Sequence, residues 1–263
     1  MRAPISILSK HIKAYVESVV GDNLRREGFI NRNGNGTDWH RVLNGEVYQA
    51  LFFRPVFSYL PIMLQVHYCC HPLYIEPFFP QNLKSPIGPP RSIEAAGYTQ
   101  TIIKRCGESV YSPEIAVRCP SDEYKGKDMI MSCVELLNSI STAEACYMYH
   151  KQDYYRVAQE QNWTMEYMFL RRLSVDFIEE AVFYNDQDVF PYCLPWINQE
   201  FERYALFRKV RRANEYEEAV EFVLKKLNRM FLDGTRDEYL DYLKQRQEEN
   251  ISLLYKKIKQ LQL

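Results

Sequence analysis

The chain has 263 residues and 46% hydrophobic content, enough to build a sizeable core without disulfide or metal staples. Its formal net charge of −1 excludes a protein whose whole surface seeks nucleic acid or anionic membrane. The seven cysteines are scattered and include no C-x-x-C pair, which fits a reduced, intracellular protein. Residues 1–10 lack the apolar run of a secretory signal, and no segment reaches membrane-spanning length without charge. A cytoplasmic location without a membrane partner is therefore expected. Asn35-Gly36-Thr37, Asn162-Trp163-Thr164 and Asn250-Ile251-Ser252 match the glycosylation sequon, which matters only in a secreted chain.

Nine of the ten glycines and eleven of the thirteen prolines precede Lys127. These residues punctuate turns and strand ends, so 1–126 reads as a sheet domain and 127–263 as a helical region. The second either packs on the first or forms its own bundle. The fold class is α+β, with an N-terminal antiparallel β-sheet flanked by a helix and followed by an all-helical C-terminal region.

In chain order, Ser9 caps a helix whose apolar stripe is Ile12, Tyr15, Val16, Val19, Val20 and Leu24, ended by Gly28. Asn44-Gly45 then joins the β-compatible runs 39–43 and 47–53 as a hairpin. A two-residue loop there places Val42 opposite Val47, Arg41 opposite Tyr48, His40 opposite Gln49 and Trp39 opposite Ala50. A third strand spans 62–71. Eight prolines from Pro55 to Pro90 break the chain, and 85–90 reads as an exposed loop. Short strands at 102–105 and 115–118 finish the sheet.

The amphipathic helix, Leu24-Arg25-Arg26-Glu27-Gly28-Phe29, the Gly/Asn-rich turn, Trp39-His40-Arg41 and the strand Tyr48-Gln49-Ala50-Leu51-Phe52 together resemble an uncharacterised bacterial domain family of unknown function. That family opens with a helix ending in Leu-x-x-x-Gly-Phe and continues with a Trp-x-Arg strand. The resemblance covers about the first quarter of the chain. It implies a fold and a bacterial source, with no catalytic residues to transfer.

Helices are expected at 129–138, 142–161, 164–184, 192–212, 215–232 and 236–261. Asp233-Gly234-Thr235 turns the last two into an αα-hairpin. Leu240, Leu243, Ile251, Leu254, Ile258 and Leu261 share a face of the final helix, but Gln247 interrupts the heptad and favours a packed helix over a coiled coil. Asn214-Glu215-Tyr216-Glu217-Glu218-Ala219-Val220 resembles the second helix of a tetratricopeptide repeat, without a second copy at the repeat spacing.

Among chemistry-bearing groups, His67, Cys69 and His71 alternate on one strand with zinc-compatible side chains, but alternate strand positions stand about 7 Å apart. They read as a strand face. Asp186 and Asp188, near Glu179 and Glu180, lack the full calcium-loop pattern and read as helix-terminal turn residues. No metal and no cofactor are expected. Arg208, Lys209, Arg211 and Arg212, with Tyr204 and Phe207 interleaved, form a basic run, but Glu215, Glu217, Glu218 and Glu221 follow at once and favour an ion-paired helix. Trp39, His40, Arg41, Tyr48 and Gln49 supply polar and aromatic groups for a binding surface on the hairpin.

No phosphate loop, nucleophile elbow or metalloprotease helix occurs in the sequence. The favoured reading is a non-catalytic intracellular recognition or inhibitor-like module that binds a protein partner, with nucleic acid disfavoured. The alternative is an enzyme or nucleic-acid factor in which His40, Arg41, His67 and His71 converge on the sheet, with Arg208–Arg212 holding a phosphate backbone.

Overall fold

A computed structural model of the protein describes residues 13–31, 38–56, 63–74, 104–106, 120–213 and 215–257. The expected loop at 85–90 and strand at 115–118 lie outside them. Helix α1 (13–26) contains a π-helical turn, Glu17–Gly21, before its final segment Asp22–Arg26. It buries Tyr15, Val16, Val20 and Leu24 of the anticipated stripe and half-buries Val19, while Ile12 and the capping Ser9 lie outside the described residues. Gly28 follows at φ +80°, a left-handed conformation that costs a residue with a Cβ more than glycine.

The strands are β1 (Ile30–Asn31), β2 (Asp38–Leu43), β3 (Val47–Val56), β4 (Met63–Pro72) and β5 (Lys104–Cys106). They pair antiparallel in sequence order as a five-stranded sheet. The expected hairpin register is corrected by one residue: Val42 faces Tyr48, Arg41 faces Gln49, His40 faces Ala50 and Trp39 faces Leu51. Asn44 (φ +53°) and Gly45 (φ +67°) make the tight turn, closed by the Glu46 amide donating to the Leu43 carbonyl at 2.9 Å. The Glu46 carbonyl then accepts from the Leu73 amide at 2.7 Å, which keeps Glu46 in the turn and makes Leu43 and Val47 the first pair. A shift of one residue reassigns every cross-strand neighbour.

The helical half comprises α2 (Pro120–Ser139), α3 (Ala143–Glu160), α4 (Met165–Arg172), α5 (Val175–Phe183), α6 (Phe190–Val210), α7 (Glu215–Asp233) and α8 (Arg236–Lys257). The single helix expected over 164–184 is two, α4 and α5. The chain leaves helical geometry at Leu173 (ψ 144°) and Ser174 (ψ 160°), whose hydroxyl accepts from the Phe177 amide and starts α5 afresh. α2 begins nine residues earlier than the expected 129.

One buried apolar core runs through both halves, from Val20, Leu24 and Trp39 through Leu51, Tyr68 and Val134 to Phe177, Ile178, Leu224 and Leu243. The α8 helix closes the join. Gln247, the polar break in its apolar face, donates to the Gly45 carbonyl at 2.7 Å, and Asn250 donates to the Leu73 carbonyl at 2.8 Å. The interruption in the heptad thus belongs to a dock against the hairpin turn and the end of β4. Replacing Asn250 with Ala leaves the buried Leu73 carbonyl without this donor. The expected cost is about 1–3 kcal/mol, read as a lower urea midpoint in a single transition that far-UV and near-UV circular dichroism trace together.

Candidate functional site

The residues expected to line a binding surface on the hairpin are all buried. Strand alternation divides them between the two sheet faces, Trp39, Arg41 and Gln49 on one and His40 and Tyr48 on the other. On the first face Gln49 accepts from Arg41 Nε at 2.8 Å and donates through Nε2 to the Leu137 and Ile140 carbonyls, both at 2.8 Å. Those carbonyls lie at and just beyond the C-terminal end of α2, where intrahelical donors run out. Arg41 extends the junction to the Glu27 carbonyl and Asn138 Oδ1, each at 2.7 Å, and lies over the Phe29 ring at 4.3 Å. Burial lowers the Arg41 pKa, opposed by the negative charge of Glu27. This cluster terminates a helix and joins it to the sheet.

On the second face His40 Nδ1 lies 2.6 Å from the Tyr48 hydroxyl, and the two rings stack. His71 pairs with Tyr48 across β3 and β4 and is buried. Cys69 pairs with Ala50 and His67 with Phe52, but their side chains are outside those described. Arg41 therefore projects from the face opposite His40, so these two groups do not converge as the alternative reading requires.

The basic run ends α6. Arg208 bonds Glu221 and Arg211 bonds Glu217, both glutamates lying on the neighbouring α7. Lys209 and Arg212 are exposed. The pairs fix the hairpin register and leave large apolar side chains outside it: Val210 is 85% exposed, Leu206 62%, Phe222 54% and Phe207 48%. Phe222 follows Glu221 directly, at the level of the hairpin where Arg208 sits.

A third constellation escaped sequence reasoning. α5 is buried over Val175–Val182, including the carboxylates Asp176, Glu179 and Glu180. Glu179 accepts from Arg246 at 2.7 and 2.8 Å and from the Tyr239 hydroxyl at 2.7 Å, both donors coming from α8. Glu180 Oε2 lies 2.5 Å from His150 Nδ1 on α3. One turn before His150, Cys146 completes a buried group whose sulfur, nitrogen and carboxylate oxygen lie within 4.8 Å of one another. The available sequence signal was Cys-x-x-x-His on a helix, which puts both residues on one face. Glu180 is thirty residues beyond His150 and only folding brings it there.

Asp186 and Asp188 sit just beyond α5, where Asp186 accepts from Tyr147 and from Lys151, and Lys151 also pairs with Asp188 at 3.4 Å. Burial alone would raise the Asp186 pKa, but the hydrogen bonds from Lys151 and Tyr147 bring it below the ordinary value. Burial, followed by the bond to Asp186, pushes the Tyr147 phenol upward. Burial also pushes the Cys193 thiol up to about 12, so it stays protonated at neutral pH.

Comparison with protein-family models, curated proteins and solved structures gives no match to this chain. Among the described residues no helix is long and apolar enough to cross a membrane.

Two stability predictions follow from these clusters. Gln49→Leu keeps the side-chain volume but removes one donor from each of the Leu137 and Ile140 carbonyls and the acceptor of Arg41 Nε. It should cost about 3 kcal/mol, measured by urea unfolding. Asp186→Asn should cost about 2 kcal/mol at neutral pH. Because folding lowers the Asp186 pKa, its contribution is present above the unfolded value of about 3.9 and lost as pH falls through the folded value. The gap in melting temperature between wild type and D186N should therefore narrow below about pH 3.9 and be gone below the folded value.

Proposed function

We propose that the protein is a non-catalytic recognition module whose binding surface is the tip of the α6–α7 hairpin. The observation that carries this reading is the exposure of Leu206, Phe207, Val210 and Phe222 on an otherwise ion-paired hairpin. Single exposed apolar residues are ordinary, but several at one level of a rigid hairpin are the kind of patch that protein partners cover. Lys209 and Arg212, exposed and within two residues of Val210, add positive charge beside it. The partner that suits this surface is a protein presenting an apolar strip flanked by carboxylates.

Other features agree with an intracellular setting. Cys70, Cys133, Cys146 and Cys193 are buried thiols, which suits a reducing compartment such as the cytoplasm. A bacterial source rests on the resemblance carried by the N-terminal helix, Gly28-Phe29 and the Trp39-His40-Arg41 strand. A polyanion has less to hold here, because Arg208 and Arg211 are engaged by glutamates.

The test is affinity capture from a nuclease-treated lysate of the native host, with wild type beside Leu206→Glu/Val210→Glu. Both substituted positions are solvent-exposed, so the unfolding free energy should stay within about 0.5 kcal/mol of wild type. A stoichiometric protein should be retained by wild type and lost by the variant. Equal retention by both, or a bound species that disappears on nuclease treatment, would overturn the reading.

A further inference from the structure

We propose that Cys146, His150 and Glu180 bind one divalent transition-metal ion of the zinc class. The three side chains offer one sulfur, one nitrogen and one oxygen donor, all buried, with their ligand atoms within 4.8 Å of each other. Zinc bonds of about 2.0–2.3 Å put tetrahedral ligands about 3.3–3.8 Å apart. The separation present therefore needs only small side-chain rotations to close on an ion. The thiol and imidazole select against calcium and magnesium, which take oxygen ligands.

The backbone holds the donors independently of any metal. Cys146 and His150 are one turn apart on α3, whose N-terminus is capped by Thr142 Oγ1 accepting from the Ala145 amide at 3.1 Å. Glu180 is placed by α5, whose own start is fixed by Ser174. The elements meet in the core, and both side chains bearing the 2.5 Å His150–Glu180 contact are almost wholly buried.

The second observation is what the cluster leaves over. His150 Nε2 and Glu180 Oε1 are buried and have no hydrogen-bond partner. A buried polar atom in that condition costs about 1–3 kcal/mol, and more when it carries charge. Its neighbour on α5 shows the usual remedy: Glu179 meets the Arg246 guanidinium with both oxygens engaged. Glu180 has only an imidazole of comparable function among the contacts described for it. A divalent cation would supply the missing charge, since one thiolate and one carboxylate neutralise it exactly once each and imidazole adds none. Metal entry would release the proton held by the thiol.

The aromatic surroundings limit the water at such an ion, whose fourth tetrahedral position a single water molecule would take. Tyr74 stacks on Phe183 at 4.1 Å between ring centroids, and Tyr147 stacks on Tyr184 at 5.3 Å. Tyr74 lies within electrostatic reach of both Glu180 and Cys146. A low-polarity shell strengthens binding once the ligands are deprotonated.

The experiment titrates the chelator-stripped full chain with cobalt(II), then with zinc. One equivalent of cobalt should produce a sulfur-to-cobalt charge-transfer band and the intense visible bands of tetrahedral coordination, and zinc should bleach both. Cys146→Ser should abolish the charge-transfer band and weaken cobalt binding at least about tenfold, while Cys193→Ser, at a buried thiol outside the cluster, should keep both. Glu180→Gln should retain the sulfur band with weaker affinity, and zinc should raise the melting temperature of wild type but not of C146S. Should C146S fail to fold, wild type and E180Q still decide the matter. No sulfur band in wild type, a band unchanged in C146S, or cobalt affinity unchanged in E180Q would overturn the proposal.

Discussion

Burial of α5 is the constraint on which the helical half depends. The sequence Val-Asp-Phe-Ile-Glu-Glu-Ala-Val places carboxylates inside a segment that is otherwise apolar, and the helix is buried across that whole stretch. Unpaired charge in such a place costs several kcal/mol per group. The neighbouring helices are therefore held to particular orientations: α8 must present Arg246 and Tyr239 to Glu179, and α3 must present His150 to Glu180. Apolar packing alone would tolerate sliding of these helices, whereas a bidentate guanidinium and a buried imidazole tolerate little. Polar groups here set register, and the surrounding Phe177, Ile178 and Val182 supply most of the burial energy.

A second constraint joins the halves. α2 ends against the sheet, and its terminal carbonyls need donors that the helix cannot provide. Gln49 supplies them from the middle of β3, while Arg41 ties Gln49 to the end of α1 through the Glu27 carbonyl. At the other edge α8 reaches the hairpin turn through Gln247 and the end of β4 through Asn250. The sheet is thus held to helices by amide and guanidinium side chains at both places, around a shared apolar core. Such directional bonds explain why polar residues sit at positions where hydrophobic periodicity would place leucine.

The legible part of the fold was what local chemistry decides. The change in Gly and Pro usage marked the division into sheet and helices, and apolar spacing located the stripe of α1 and the helix 215–232, whose Val220, Val223, Leu224 and Leu227 face the core. Asn44-Gly45 announced a hairpin, but its register depended on where the Glu46 carbonyl goes, and its partner Leu73 is a strand away. The break between α4 and α5 was carried by a single serine in a continuous apolar pattern, so periodicity ran straight through it. Trp39, Arg41 and Gln49 stood out as polar and aromatic groups suited to a binding surface. The role of Gln49 in ending α2 could not be read, because the carbonyls it satisfies lie about ninety residues away. The Cys146, His150 and Glu180 cluster was hidden for the same reason: two members share a helical face, and the third arrives only through packing.

The two regions with functional character differ in how each could change without harm to the fold. The cluster on α3 and α5 lies where each side chain is also a packing element, so its chemistry and the stability of the core are bound together. The α6–α7 tip is organised the other way. Arg208–Glu221 and Arg211–Glu217 hold the hairpin from its flank, while Leu206, Val210 and Phe222 project outward and contribute little burial. Exposed ion pairs add little stability, but they fix the relative position of two helices that Val220, Val223 and Leu227 already anchor to the core. Apolar residues kept at such a tip reduce solubility and return nothing to folding. A surface with that cost is what the proposed recognition role would require.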